Sequence, residues 1–185
     1  LGDVKEMSEK IFAANWKMYL NDNESKEFIS RINSNKEFFS EFNIMIFPNH
    51  LSIAAVQELA KDLPNIKIGM QDCDASISGA ITGSNSITSL NVDSCIVGHS
   101  ERRNFFNESN ELIQSKLNNC LNNIDSVILC IGEQLDEKEQ NKTFEIIQKQ
   151  LSILPKELNG KNLIIAYEPV WAIGTGLVAS KEYID

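Results

Sequence analysis

The sequence predicts an α/β fold in which βα units follow one another around a parallel sheet. Short apolar runs alternate with longer amphipathic stretches along the chain, and no antiparallel hairpin signal interrupts them. The short runs are continuously apolar, which is typical of strands that are buried on both faces of a parallel sheet. We therefore expect a single α/β domain over residues 1–185, with residues 1–6 as a leader outside the fold.

Each element follows from its own pattern. The apolar runs predict strands at Ile11–Ala14, Ile44–Phe47, Ile66–Met70, Cys95–Val97, Val127–Ile131 and Leu163–Ala166. Apolar residues at helical spacing predict helices at Ser25–Phe39, Ile53–Ala60, Ser86–Leu90 and Glu111–Leu121, and a long helix containing Phe144, Ile147, Leu151 and Leu154. Ser109 is the expected cap of the fourth helix. The polar, Gly-rich stretch Gln71–Gly83 predicts a long loop.

Two architectures fit six βα units: an open doubly wound sheet and a (β/α)8 barrel. No GxGxxG motif and no P-loop follows the first strand, which weakens the nucleotide-binding sheet. A barrel typically needs ~250 residues, so 185 residues with six units correspond to three-quarters of one. The chain opens on Leu1 and stops shortly after an apparent helix start at Ser180, so we expect a piece of a longer protein.

Composition excludes several functional classes. The net charge of -9 argues against a nucleic-acid partner, for which a basic patch is the usual footprint. No apolar run approaches the ~18 residues of a membrane span. The cysteines show neither CxxC pairing nor metal-ligand spacing, so we expect reduced, mostly buried thiols in a cytoplasmic protein; they are Cys73, Cys95, Cys120 and Cys130.

Charged side chains follow the predicted strands. Lys17 comes after the first strand, His99 after the fourth, Glu133 after the fifth and Glu168 at the end of the sixth. The carboxyl ends of parallel strands share one face in either architecture, and sites are built there. A cation, an imidazole and a carboxylate at one face suit proton transfer on an anionic substrate.

Plainer interpretations exist for each residue. Lys17 could be a solvated loop residue, His99 a structural histidine, and Glu133 a favourable charge at a helix start. A purely structural interpretation is harder for Glu168. A carboxylate at the end of an apolar strand loses hydration, and that loss has a free-energy cost. Two rival functions also stay open: a thiol hydrolase that uses Cys130 and His99, and a non-catalytic binding protein that has kept the fold.

Five motifs resemble those of the triosephosphate isomerase family. They occur in the family's order over nearly the whole chain, and they are AANWKM (13–18), GAITG (79–83), VGHSERR (97–103), CIGE (130–133) and AYEPVWAIGTG (166–176). The resemblance implies a TIM barrel of which about six of eight βα units are present. It also implies interconversion of dihydroxyacetone phosphate and glyceraldehyde 3-phosphate, with no cofactor and no metal.

The resemblance assigns roles to individual residues. Glu168 would be the base, neutral His99 the electrophile, and Lys17 the positive charge for the phosphate and the enediolate. Asn15 would help to place substrate oxygens, and Gly174 would offer a backbone N–H to the phosphate when a lid closes. A helix that starts after His99 would disfavour the charged form of its imidazole. The family is a standard example of an enzyme that adjusts the acidity of its catalytic side chains in this way.

The resemblance also names supporting residues and a partner. Glu101, Cys130 and Glu108 would surround the catalytic groups. A homodimer is expected, in which the loop Asp72–Ser84 reaches the second subunit through Thr82. Ser84 stands where the family commonly has an acid, so an ion pair to Arg102 across the dimer would be absent. The seventh and eighth strands with their phosphate-binding loops are not in this sequence, so the piece alone is expected to be inactive.

Overall fold

The computed structural model describes residues 10–158 and 160–184, which form two compact units. The first unit extends to Gln71 and includes Leu90–Ser94, and the second contains Asp72–Ser89 and the chain from Cys95 onward. The expected leader at residues 1–6 lies outside the described residues.

The first unit is a three-stranded parallel sheet with helices between its strands. In chain order its elements are β1 (Ile11–Asn15), α1 (Asp22–Ser34), α2 (Lys36–Phe39), β2 (Asn43–Phe47), a 3-10 turn (His50–Ser52), α3 (Ile53–Ala60) and β3 (Ile66–Met70). In the register, Asn15 of β1 lies beside Phe47 of β2, and Ile46 of β2 beside Ile68 of β3. The predicted strands and the helix Ile53–Ala60 are confirmed here.

Local sequence signals set the limits of α1. Asn21 caps the helix: its side chain accepts a hydrogen bond from the Glu24 N–H at 3.1 Å, and the Glu24 carboxylate accepts one from the Asn21 N–H at 2.9 Å. Ile29 and Ile32 on one face of the helix are buried. The helix predicted at Ser25–Phe39 is two helices in the structure. Asn35 ends α1 and precedes α2.

The second unit contains the remaining elements, except that Ser94, the first residue of β4, belongs to the first unit. They are β4 (Ser94–Val97), α4 (Ser100–Phe105), α5 (Asn110–Asn123), β5 (Ser126–Ile131), α6 (Leu135–Glu139), α7 (Thr143–Leu151), β6 (Asn162–Tyr167), a 3-10 turn (Val170–Ala172) and α8 (Lys181–Ile184). β5 and β6 are parallel, with Ile131 beside Tyr167. Ser109 caps α5 as predicted, by accepting a hydrogen bond from the Leu112 N–H at 3.3 Å. Every residue of β5 is buried.

Two further helix predictions differ from the structure, and local side-chain chemistry explains the first. Ser86–Leu90 is a turn because the Ser86 hydroxyl accepts a hydrogen bond from the Thr88 N–H, which competes with a helix. The predicted long helix is α7, which contains Phe144, Ile147 and Leu151 but ends at Leu151, so Leu154 lies outside it. Before α7, Asn141 adopts a left-handed conformation with φ 56° and donates its N–H to the Lys138 carbonyl, which ends α6.

The prediction that the strands are buried on both faces is wrong for β1 and β6. Phe12 in β1 is 53% exposed and Ile165 in β6 is 41% exposed. β1 pairs with β2, and β6 pairs with β5, so each strand is covered along one side by a neighbour in its own unit.

Among the described residues, no helix has the length and apolar character needed to cross a membrane.

Candidate active site

His99 stands at the junction of a strand and a helix. It follows β4 and is the N-cap residue of α4. Its Nδ1 accepts a hydrogen bond from the Glu101 N–H at 3.2 Å, so Nδ1 carries no proton and the proton of the neutral ring is on Nε2. The backbone of α4 therefore selects the tautomer, and Nε2 is available as a donor.

Glu168 meets that donor directly. It follows β6, and its Oε1 lies 2.9 Å from His99 Nε2. Its Oε2 accepts a second hydrogen bond, at 3.0 Å, from the Ser100 N–H at the first turn of α4. The Glu168 side chain is 16% exposed and the His99 side chain 11%. An acid–base pair is thus assembled, largely out of water, from the ends of two strands.

Gly132 is a steric requirement of this arrangement. A Cβ at Gly132 would overlap the backbone carbonyl oxygen of Glu168. Buried Gln150 of α7 holds the glycine from the other side: its amide accepts from the Gly132 N–H at 2.8 Å and donates to the Gly132 carbonyl at 2.9 Å. The strand end that presents Glu168 therefore rests on a backbone surface that only glycine can provide.

Cys130 and Arg103 both lie close enough to Glu168 to interact with its charge. The Arg103 guanidinium donates to the carbonyls of Gly98 at 2.8 Å and Cys130 at 3.1 Å, which joins the ends of β4 and β5. Burial raises the pKa of the Cys130 thiol, and the charge of Glu168 raises it further. A thiol with a raised pKa is a poor nucleophile, which argues against the hydrolase hypothesis.

Glu133 anchors the chain that follows Glu168. Its side chain is fully buried and accepts hydrogen bonds from Tyr167 Oη at 3.0 Å, Trp171 Nε1 at 2.8 Å and Tyr183 Oη at 2.7 Å. The Lys138 ammonium lies 3.0 Å from the centroid of the Trp171 ring, a cation–π contact. The hypothesis that Glu133 simply begins a helix is wrong, because α6 begins two residues later, at Leu135.

The segment beyond Trp171 is exposed and lies between two anchors. Trp171 is buried, whereas residues 173–178 are exposed, and Tyr183 beyond them is hydrogen-bonded to Glu133. Gly174 and Gly176 have φ values of 71° and 78°, a region that glycine enters without strain. The two glycines therefore give conformational freedom to a segment whose flanking residues are fixed.

Asn15 and Lys17 lie together in the first unit. Lys17 has a φ of 52°, a left-handed conformation that is uncommon for a side chain of this size. Its N–H donates to Asn15 Oδ1 at 2.9 Å, and its carbonyl accepts from Gln71 Nε2 at 2.8 Å. These two hydrogen bonds hold the backbone of Lys17 in its strained conformation.

Glu108 belongs to a buried charge network. Glu108 Oε1 lies 2.6 Å from Lys116 Nζ and 2.6 Å from an Arg102 nitrogen, and both cations also contact Asp72. Arg102 thus forms its ion pairs inside its own unit. Glu101 Oε2 lies 3.4 Å from His99 Nδ1. Thr82 is exposed on the loop between β3 and β4.

The structure is that of a parallel α/β protein in which His99 and Glu168 meet at strand ends, and the comparisons give the family. The chain matches the triosephosphate isomerase family over residues 10–185. It is 43% identical to the triosephosphate isomerase of Dictyoglomus thermophilum, covering 95% of this chain and 73% of that protein. It is 39% identical to that of Bdellovibrio bacteriovorus, covering 95% and 74%. The chain belongs to the triosephosphate isomerase family, and the predicted TIM-barrel fold class is confirmed.

Sequence reasoning missed three contributors to the site. Ser100 holds Glu168 through a backbone N–H, which no side-chain pattern reveals. Gln150 lies on a helix far along the chain, where it looks like an ordinary polar residue. Gly132 follows β5 inside the CIGE motif, and a glycine at a strand end next to a charged residue is a signal for close backbone approach.

Proposed function

We propose that this protein interconverts dihydroxyacetone phosphate and glyceraldehyde 3-phosphate by proton transfer. The observation that carries the proposal is the contact between His99 Nε2 and Glu168 Oε1 at 2.9 Å, with His99 Nδ1 occupied by the Glu101 N–H. It supports a neutral imidazole that donates from Nε2, next to a carboxylate that can accept a proton. Membership of the isomerase family supports the substrate.

In the first step, substrate binding replaces the hydrogen bond between His99 and Glu168. The substrate carbonyl oxygen takes the place of Glu168 as the acceptor of the His99 Nε2 proton. Glu168 is then free to remove a proton from the carbon next to the carbonyl, which gives an enediolate. His99 stabilises the negative oxygen and moves protons between the two oxygens. Glu168 returns its proton to the neighbouring carbon, so atoms and charge balance without an external reagent.

Lys17 and Asn15 are proposed to bind substrate as well. The Lys17 ammonium provides positive charge for the phosphate and for the developing enediolate, and Asn15 places substrate oxygens. The strained backbone of Lys17 supports this role, because strain is retained most often at functional positions. Gly174 is proposed to donate its N–H to the phosphate after the exposed segment closes and excludes water. Glu101 and Cys130 support His99 and Glu168, and Glu108 supports the loop that begins at Asp72.

The assay that tests this proposal follows both turnover and the origin of the transferred proton. In a chain that carries all eight βα units of the family, dihydroxyacetone phosphate should be converted to glyceraldehyde 3-phosphate, and in deuterated water the product should carry deuterium at the carbon next to its carbonyl. A Glu168→Gln variant should lose this exchange, because an amide cannot accept the carbon-bound proton. Isomerisation without any solvent deuterium in the product, or full activity of the variant, would overturn the mechanism.

We also propose a homodimer in the cytoplasm. The loop after Asp72 carries exposed apolar side chains, with Ile77 53% and Ile81 47% exposed, and Thr82 next to the second of these. Such side chains favour a protein partner. The four free, buried cysteines favour a reducing compartment. Sedimentation velocity should show a dimer that Ile81→Asp dissociates; an unchanged mass for the variant would count against this loop as the interface.

A further inference from the structure

Three buried thiols converge in the second unit, and the proposed isomerisation uses none of them. Cys73 lies in the loop after Gln71, Cys95 on β4 and Cys120 on α5. The three sulfur atoms all lie within 4.8 Å of one another, and those of Cys73 and Cys120 are 3.3 Å apart. The side chains are 2%, 0% and 0% exposed. The sequence spacing of these cysteines gave no hint of the cluster.

The separations suit a single thiophilic atom bound by three sulfurs. With bonds of about 2.3 Å to a central atom, three thiolate sulfurs lie about 4 Å apart around a planar trigonal centre and about 3.4 Å apart around a pyramidal centre with angles of about 95°. The cluster needs only small side-chain movements to reach the pyramidal spacing. Among the described residues no fourth ligand joins the group, so the closed four-ligand shell of a structural zinc site is not formed.

Charge decides which atom fits. Three thiolates around a divalent ion leave a net charge of -1, and around a monovalent ion -2, in a site closed to water. Such a charge would need a cation beside it. Lys116 acts electrostatically on Cys73, but its ammonium already contacts Asp72 and Glu108. A trivalent centre with three thiolates is neutral and needs no additional counter-charge.

We propose that Cys73, Cys95 and Cys120 form a binding site for trivalent arsenic, taken up as arsenous acid. Three As–O bonds break and three As–S bonds form. Each thiol proton leaves with one hydroxide as water, so one arsenous acid and three thiols give one neutral tris-thiolate centre and three waters. No atom changes its oxidation state, and the reaction needs no oxidant or reductant.

Entry to the site goes through the loop that carries Cys73. Residues 71–89 contain neither helix nor strand, whereas Cys95 and Cys120 are held on regular elements. Segments without regular structure open locally at a lower free-energy cost than helices and strands. Bound arsenic would then tie the loop to β4 and α5.

The test is a titration of the reduced protein with sodium arsenite in the absence of oxygen. We expect one arsenic per chain by equilibrium dialysis with elemental analysis. X-ray absorption at the arsenic edge should show three sulfur neighbours and no oxygen. A centre with two sulfurs and one oxygen, or no saturable binding, would overturn the proposal, and this result needs no variant.

Single substitutions identify the ligands. Cys73→Ala leaves two thiols, so the dissociation constant should rise on the order of tenfold or more, because one attachment of a multivalent contact is lost. Cys130→Ala is the matched control: it removes a buried thiol outside the cluster and should leave both affinity and coordination number unchanged. Circular dichroism confirms that each variant is folded. Equal weakening by both substitutions would refute the assignment of the site to the cluster.

Discussion

At the residue scale, the decisive feature is the way backbone groups prepare two side chains. The Glu101 N–H places the proton of His99 on Nε2, and the Ser100 N–H holds one oxygen of Glu168. Both donors belong to the first turn of α4, where N–H groups have no partner inside the helix. A six-residue helix therefore orients both members of the acid–base pair.

The position of the Glu168 carboxylate should control the rate. Glu168→Asp keeps the charge but withdraws the carboxylate by ~1 Å, and a displacement of this size costs on the order of 10²-fold in rate. The measurement is steady-state kcat for the isomerisation of dihydroxyacetone phosphate. A variant with unchanged kcat would remove Glu168 from the role of base.

Gly132→Ala should damage the same site through the backbone. The added Cβ overlaps the Glu168 carbonyl oxygen, so the end of β6 must move. We expect the free energy of unfolding to fall by about 1–3 kcal/mol, as for other overpacked positions, and kcat to fall with it. Chemical denaturation and the isomerase assay measure the two effects. Gly79→Ala is the control, because a Cβ there meets only the Ile81 side chain at an ordinary contact distance of 3.6 Å; equal losses of kcat in both variants would contradict this explanation.

At the element scale, Glu133 couples a strand end to the segment proposed to close over the substrate. Its carboxylate accepts from Tyr167, Trp171 and Tyr183, which come from β6, the following 3-10 turn and α8. Burial raises the pKa of Tyr167, and the hydrogen bond to Glu133 raises it further, so the phenol remains a donor. One carboxylate thus fixes the chain on both sides of residues 173–178, which stay exposed.

Glu133→Gln should loosen that anchor without removing a catalytic group. An amide presents one acceptor oxygen where the carboxylate presents two, and a lost hydrogen bond to a charged group costs about 1.5–3 kcal/mol. We expect faster amide hydrogen exchange over residues 170–178 and a lower kcat. Tyr183→Phe removes a single donor and should cause a smaller change in both. If exchange over the segment were the same in Glu133→Gln and in the original protein, the anchor would lie elsewhere.

At the scale of the whole molecule, buried thiols make stability dependent on alkaline pH. The folded Cys130 thiol keeps its proton because its pKa is raised, whereas the unfolded thiol ionises near its ordinary value of 9.0. Its contribution to stability is therefore present in full below pH 9 and is lost as the pH rises towards the folded value.

Cys130→Ala should reduce this alkaline loss. Above pH 9 the original protein should lose about 1.4 kcal/mol more per pH unit than the variant, since one more proton is released on unfolding. The free energy of unfolding measured by denaturant between pH 7 and pH 10.5 tests this. Parallel curves for the two proteins over that range would show that Cys130 does not titrate on unfolding.

The strands could be predicted from the sequence more accurately than the helices. The six strands were predicted to within one or two residues, because continuous apolar runs are a strong local signal. Ser86–Leu90 failed because a hydroxyl–backbone hydrogen bond outweighed the helical spacing. The long helix was predicted too long, because the apolar spacing continues to Leu154 whereas α7 ends at Leu151.

By itself, the sequence determined the fold class, the order of the strands and the identity of the charged residues at their ends. These properties follow from periodicity and from motifs that are local in the chain. Only the tertiary structure decided the tautomer of His99, the partners of Glu133, the steric need for Gly132 and the meeting of Cys73, Cys95 and Cys120. Each of these depends on groups that are distant in the sequence or on the directions of backbone N–H and carbonyl groups. Local patterns in the amino-acid sequence do not specify either.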